Sequence, residues 1–257
     1  MDNPNPSSNL LIDKGEITRV TLNRPEVRNS FNEELIADLN SVFESLGQDK
    51  QCKVIVLQAN GKSFCAGADL KWMKSMANYS YEENVADSSK MAQMLNTIYT
   101  CPKPVIARVQ GDAYAGGVGL TSVCDILIAS KDVRFCISEA RLGLIPATIA
   151  PYVIRALGEQ AARRYFLTAE VFTASQAKEM GFVHELVDPT GLDEAVDKIC
   201  SSLLANGAEA LKACKKIIID LSYQTITPKV IEETVHRIAH IRNTEEAQKR
   251  MKAFLET

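Results

Sequence analysis

The sequence is poor in the residues on which metal and thiol chemistry rest. It has three histidines in 257 residues, His184, His236 and His240, and seven cysteines with no C-x-x-C pair. That composition excludes the usual zinc-ligand spacings, and no metal is expected. Cys52, Cys65, Cys101, Cys124, Cys136, Cys200 and Cys214 stand singly in apolar contexts and read as reduced, mostly core thiols. Neither Cys65 nor Cys136 has a histidine near it in sequence to serve as its base. No basic tract reaches five residues and the formal net charge is −3, which argues against a nucleic-acid or membrane-surface binder. No apolar run approaches the ~20 residues of a membrane-spanning helix. The opening Met-Asp-Asn-Pro-Asn-Pro-Ser-Ser has neither the charge nor the apolar core of a signal peptide. A soluble, cytoplasmic protein is expected, with residues 1–8 a flexible tail.

What is present is 46% hydrophobic content arranged in strands that alternate with helices. Leu10-Leu-Ile and Ile17–Leu22 flank Asp13-Lys-Gly15, a hairpin signal. Ser30-Phe-Asn-Glu33 has capping-box form, and Leu35, Ile36, Leu39, Val42, Phe43 and Leu46 mark one helix face behind it. The near-continuous apolar runs Val54-Ile-Val-Leu57, Val105-Ile106 and Ile126-Leu-Ile128 are typical of strands covered on both faces, so the core is α/β. Met91, Met94, Leu95 and Ile98 repeat at helical spacing within 80–99 and read as core filler. From Ala147 onward the chain is almost wholly helical, with one short strand at Val183–Val187. The last three long helices, 192–204, 209–221 and 228–242, have apolar faces that the α/β core need not cover.

Two segments invite chemistry. Gly111-Asp-Ala-Tyr-Ala-Gly-Gly-Val-Gly-Leu120 follows the strand pattern 104–110 and carries the chain from strand to helix. Glycines let backbone approach a ligand there, and the first helical amides are unpaired donors that suit an oxyanion. Asn60-Gly-Lys-Ser-Phe-Cys-Ala-Gly-Ala-Asp-Leu70 follows the strand 53–58 in the same way. Phe135-Cys-Ile-Ser-Glu139 then places a lone acid after an apolar run. Nucleotide motifs fail on spacing: Ser122 stands where G-x-G-x-x-G needs glycine, and Val56 where a P-loop needs one.

Taken together, Phe64-Cys-Ala-Gly-Ala-Asp-Leu70, Ala113-Tyr-Ala-Gly-Gly-Val-Gly-Leu120 with Cys124-Asp125, and Leu22-Asn-Arg-Pro-Glu-Val-Arg-Asn-Ser-Phe31 resemble the crotonase (enoyl-CoA hydratase/isomerase) superfamily over nearly the whole chain. The resemblance implies the spiral ββα core of the ClpP/crotonase class over 9–190, followed by a helical oligomerisation region over 191–257 that packs across a homotrimer, with trimers pairing into hexamers. It implies no cofactor, coenzyme A being part of the substrate.

By the same match the amides of Ala68 and Gly116 form an oxyanion hole for a thioester enolate. Backbone around Arg28 and at Ala66, Asp69 and Leu70, with Gly117 beside it, holds coenzyme A, and Arg28 and Lys62 face its phosphates. Hydratases of this superfamily use two glutamates. The second falls on Glu139; the first falls on Gly119, which cannot act as a base. Three routes stay open: Glu139 performs both proton tasks, the enzyme is an isomerase needing one carboxylate, or another residue substitutes.

The run Phe135–Val153, continuing into Ala161-Ala-Arg-Arg-Tyr165, is similar to methylglutaconyl-CoA hydratases of leucine catabolism and to related hydratases of acyclic-terpene catabolism. It implies a distal carboxylate on the substrate, for which Arg141 is the nearest basic side chain in sequence. The other readings weighed are an acyl-CoA decarboxylase and an RNA-binding role known in some members, the latter opposed by the acidic balance.

Overall fold

The structure is a computed structural model, and it describes residues 9–256. The tail expected over residues 1–8 lies outside the described residues. The strands are β1 (Leu10–Asp13), β2 (Ile17–Leu22), β3 (Val54–Ala59), β4 (Ser63–Cys65), β5 (Val105–Val109), β6 (Asp112–Tyr114), β7 (Ile126–Ser130), β8 (Arg134–Cys136), β9 (Val171–Thr173) and β10 (Glu185–Val187). The helices are α1 (Glu33–Gln48), α2 (Leu70–Met76), α3 (Tyr81–Tyr99), α4 (Gly116–Ser122), α5 (Ala150–Leu157), α6 (Glu159–Thr168), α7 (Ala174–Glu179), α8 (Leu192–Leu204), α9 (Ala208–Leu221), α10 (Pro228–Arg242) and α11 (Glu245–Leu255).

Two sheets result. The larger runs β1-β2-β3-β5-β7-β10 and the smaller β4-β6-β8-β9. The β1–β2 hairpin is antiparallel, with Leu10 opposite Leu22, and every later pairing in the larger sheet is parallel. The long strands β3, β5 and β7 each lead within a few residues to a short strand of the other sheet, β4, β6 and β8, and then to a helical turn. This is the ββα unit repeated. Sequence patterning had carried the chain from 104–110 and from 53–58 straight into helices; β6 and β4 intervene.

Alternate residues of the larger sheet face two interiors. Ile55, Leu57, Val105, Ala107 and Leu127 join the main core with Leu35, Leu39 and Phe43 of α1 and Met94, Leu95 and Ile98 of α3. Val54, Val56, Ile106 and Ile128 point the other way, onto Leu192, Ala195, Val196 and Cys200 of α8. Burying each such Val, Leu or Ile contributes about 1.5–3 kcal/mol, so α8 is part of the α/β core. Helices α9, α10 and α11 contain no buried residue. Two local expectations also change. The N-cap of α1 is Asn32, whose side chain accepts from Leu35 N, while Ser30 Oγ donates to Val27 O. The single strand expected after Ala147 is joined by β9, and α11 follows the three helices read from sequence.

Candidate active site

Strands β4, β6 and β8 are parallel neighbours, with Cys65 opposite Ala113 and Tyr114 opposite Cys136. Ala68, Gly116 and Glu139 each lie two or three residues beyond the last paired position of their strand. Topology therefore delivers all three to one end of that sheet, although Ala68 and Glu139 are 71 residues apart in sequence.

The first segment is fixed by backbone. Phe31 N–H donates to Gly67 O at 2.7 Å and Asp69 N–H donates to Phe31 O at 2.8 Å, a parallel bridge that brackets Ala68. In such a bridge the middle residue turns its own N–H to the opposite side. Gly67 has φ +93°, which an L side chain rarely adopts. Ala66 N–H donates to Arg28 O at 3.0 Å, so the two stretches expected to hold coenzyme A are joined to each other. Arg28 and Lys62 are exposed, as is Leu70 at the start of α2.

Asp69 is otherwise committed. Its side chain caps α2 by accepting from Lys71 N and pairs with Arg24 Nη2 at 3.0 Å. Burial alone would raise its pKa, but the Lys71 amide and the Arg24 guanidinium together hold the carboxyl below its ordinary range.

The second segment turns on Ala115, with φ 49° and ψ −120°. A non-glycine residue there stores about 1–3 kcal/mol. The conformation is held by Ala115 N–H to Cys136 O at 2.7 Å and by Val118 N–H to Ala115 O at 2.9 Å. It opens α4 without a side-chain cap, leaving the first amides, Gly116 among them, without an intrahelical acceptor. Gly117 is needed for space, since a Cβ there would lie 2.4 Å from Cys65 O. Gly119 is buried, and a Cβ on it would lie 2.2 Å from Ile149 Cγ2. Ile149 occupies the space that a side chain at position 119 would need.

Glu139 opens a short 3-10 turn, Glu139–Leu142, after β8. Its Oε2 is buried and has no hydrogen-bond partner among the described residues. Burial pushes the carboxyl pKa up, against a smaller opposing pull from its own backbone amide. A half-buried carboxyl with a raised pKa and one buried, unpartnered oxygen, at the same end of the sheet as two backbone donors, is equipped to move a proton next to a carbonyl that gathers negative charge.

A scan against protein-family models places residues 13–257 in the family described as enoyl-CoA hydratase/isomerase. The chain belongs to that family. A putative enoyl-CoA hydratase of Thermus thermophilus is 31% identical over 210 residues, 82% of this chain and 83% of the relative. The crystal structure of an enoyl-CoA hydratase from Shewanella pealeana superposes with a TM-score of 0.94 at 40% identity, covering 96% of this chain and 93% of that one. A putative enoyl-CoA hydratase/isomerase (crotonase) from Legionella pneumophila gives 0.91 at 43% identity, covering 97% and 96%. Membership makes this an enzyme of the enoyl-CoA hydratase/isomerase type, acting on acyl-CoA thioesters, with the crotonase α/β fold.

Within that family frame, the other residues singled out from sequence fall as follows. Arg141 Nη2 donates to Ala169 O, so its guanidinium ties the turn after Glu139 to the end of α6. Cys65 is buried and its thiol is pushed up to about 12 by burial, while Cys136 is raised by burial and its Sγ lies on Ala169 O. Burial disfavours at both positions the thiolate that nucleophilic chemistry requires. His184, which sequence left without a role, accepts from Leu127 N at 3.0 Å through Nδ1.

Sequence reasoning assigned no role to Asn29, Phe31, Trp72, Asp87 or Ile149. Asn29 is fully buried with φ 55°, accepts from Arg24 N, and donates to Asn60 O and Ser63 O at 2.8 and 2.9 Å. An asparagine before a helix, the residue type that tolerates positive φ, was the available signal. Trp72 Nε1 donates to the buried Asp87 at 3.1 Å, tying α2 to α3.

Proposed function

We propose that the protein is a lyase that adds water reversibly across the double bond of a 2-enoyl-CoA, with the Ala68 and Gly116 amides holding the thioester oxygen. The carrying observation is Glu139, with a buried, unpartnered Oε2 at the same end of the small sheet as both amides. In this reading the Glu139 carboxylate takes a proton from water as the water oxygen bonds to Cβ. The C=C electrons move onto the thioester oxygen as an enolate. Glu139 returns the proton to Cα as the enolate collapses, so one carboxylate serves both transfers. Removing one donor from such an oxyanion hole costs about 3–4 kcal/mol.

The finer substrate proposal is 3-methylglutaconyl-CoA, giving 3-hydroxy-3-methylglutaryl-CoA in leucine and isovalerate catabolism. It rests on the similarity of Phe135–Val153. Arg141 donates from Nη2 to Ala169 O and keeps its other guanidinium N–H groups for a distal carboxylate. Isomerisation of an enoyl-CoA is the second reading, favoured by Ile149 in the space that a side chain at position 119 would need, since moving a double bond needs only one proton carrier. The helical tail supports a trimer or dimer of trimers: α9, α10 and α11 contain no fully buried residue and expose Ile218, Ile231, Val235 and Phe254.

Glu139→Gln tests the central claim. Turnover is expected to fall by roughly 10²–10⁴-fold with coenzyme A ester binding retained, because shape is kept and the proton carrier lost. Mass spectrometry of products from a panel of acyl-CoAs separates gain of water from no mass change and from loss of carbon dioxide. Near-parental activity of the variant ends the assignment.

A further inference from the structure

The two donor segments touch directly, Gly117 against Cys65 and Gly67 against Ala115, but strand pairing does not continue as far as the donors. The β4–β6 register is irregular between Ser63 and Cys65, and pairing stops before Ala66. Phe31 spans the gap. Its backbone N–H and C=O bracket Ala68 through Gly67 O and Asp69 N. Its ring lies against the other segment, with Cε2 and Cδ2 3.2 and 3.3 Å from the point where a Cβ on Gly116 would stand. Met91 Cε of α3 closes on the same point at 3.2 Å. Phe31 is 1% exposed and cannot swing away. One residue therefore grips the first donor segment with its main chain and stops the second with its side chain.

We propose that Phe31 is a positioning residue that sets the separation of the Ala68 and Gly116 amides. The proposal rests on the oxyanion reading of those two amides. An oxygen that must accept from both is sensitive to spacing, because a misplacement of about 1 Å can cost roughly 10²-fold. Phe31→Ala keeps the backbone bridge, which uses no side-chain atom, and removes the stop against Gly116. Phe31→Leu keeps part of it.

The test binds crotonyl-CoA carrying ¹³C at the thioester carbonyl to each protein and reads the carbonyl stretch by infrared difference, alongside kcat and KM. Donation from both amides shifts the parental stretch to lower frequency. The shift is expected to shrink in the order Phe31, Leu, Ala, with kcat down about ten- to hundredfold for Phe31→Ala, within the loss caused by removing one donor outright, and KM changed less than about threefold. A shift and kcat kept in Phe31→Ala overturn the proposal while leaving the site reading intact. Where that variant does not fold, Phe31→Leu decides by the same criterion. An unshifted carbonyl in the parent overturns the oxyanion reading and this proposal with it. A shifted carbonyl without gain of water overturns only the hydratase reading.

Discussion

Gly119→Ala probes the place where the chain departs from a two-glutamate site. The added methyl would stand 2.2 Å from Ile149 Cγ2 and 2.7 Å from Ile149 Cβ, against the ~3.5–4.0 Å of an ordinary carbon contact. Ile149 is 1% exposed, part of the main core cluster, so it cannot turn out into solvent. Overpacking of this kind costs about 1–3 kcal/mol, occasionally more, and replacing a helical glycine by alanine returns about 1 kcal/mol. An overlap this deep belongs at the upper end, so the net loss is about 2 kcal/mol, which lowers Tm by about 4–8 °C in a chain of this size. Ile149→Ala alone should cost about 2–5 kcal/mol as a cavity. The double variant should cost less than the sum by about 0.5–3 kcal/mol, because each change vacates what the other fills. Thermal melts at one protein concentration, supported by urea midpoints, measure all four proteins. A Gly119→Ala variant that melts at or above the parent would show that position 119 has room for a side chain, and the account of a single carboxylate imposed by packing would fail.

The remaining predictions are simpler. Burial raises the Glu139 pKa, and the base must be ionised to act, so kcat/KM should fall on acidification at a pH above the ~4.3 of an ordinary glutamate; an acid limb at or below that value would place the carboxyl in water. Asp87 is raised chiefly by burial, against the Trp72 bond that lowers it, so the stability this group contributes is fully present below the ordinary aspartate range and declines as pH rises through the raised value. Asp87→Asn still offers Trp72 an acceptor, and its urea midpoint relative to the parent should improve from pH 4 to pH 7; a constant difference refutes this. Arg141→Met should reduce activity more with 3-methylglutaconyl-CoA than with crotonyl-CoA and lower stability by about 1 kcal/mol through the bond to Ala169 O. Equal losses with both esters would remove Arg141 from the substrate.

Much of this molecule was legible because its long elements carry strong apolar periodicity. The hairpin at Asp13–Gly15, the face of α1 and the methionine stripe of α3 fall where residue spacing puts them. The three-residue strands β4, β6, β8 and β9 were hidden, because so short a run has no period and pairs only once its neighbours are in place. Amphipathicity showed that α8 buries a face but not which surface it meets. At the site, motif spacing brought out Ala68, Gly116 and Glu139, and glycine at 119 was visible as a departure. Ile149 was not, since the residue that fills that space lies thirty positions downstream. Ser30 looked like a cap until Asn32, two residues closer to the helix, took the Leu35 amide. Arg141 was judged by its distance along the chain, which could not show its bond to a carbonyl 28 residues away.

The distribution of thiols has a practical consequence for labelling. Cys52, Cys65, Cys101, Cys136 and Cys200 are buried, and Cys124 is half-buried with its thiol pushed far up by burial, whereas Cys214 is exposed on α9. Alkylation proceeds through an accessible thiolate. A maleimide fluorophore added to the native, unmutated protein should therefore attach at one position. That position lies on a helix bearing the exposed Ile218, so the dye's anisotropy and quenching would follow, on dilution, whether this surface is covered by another copy.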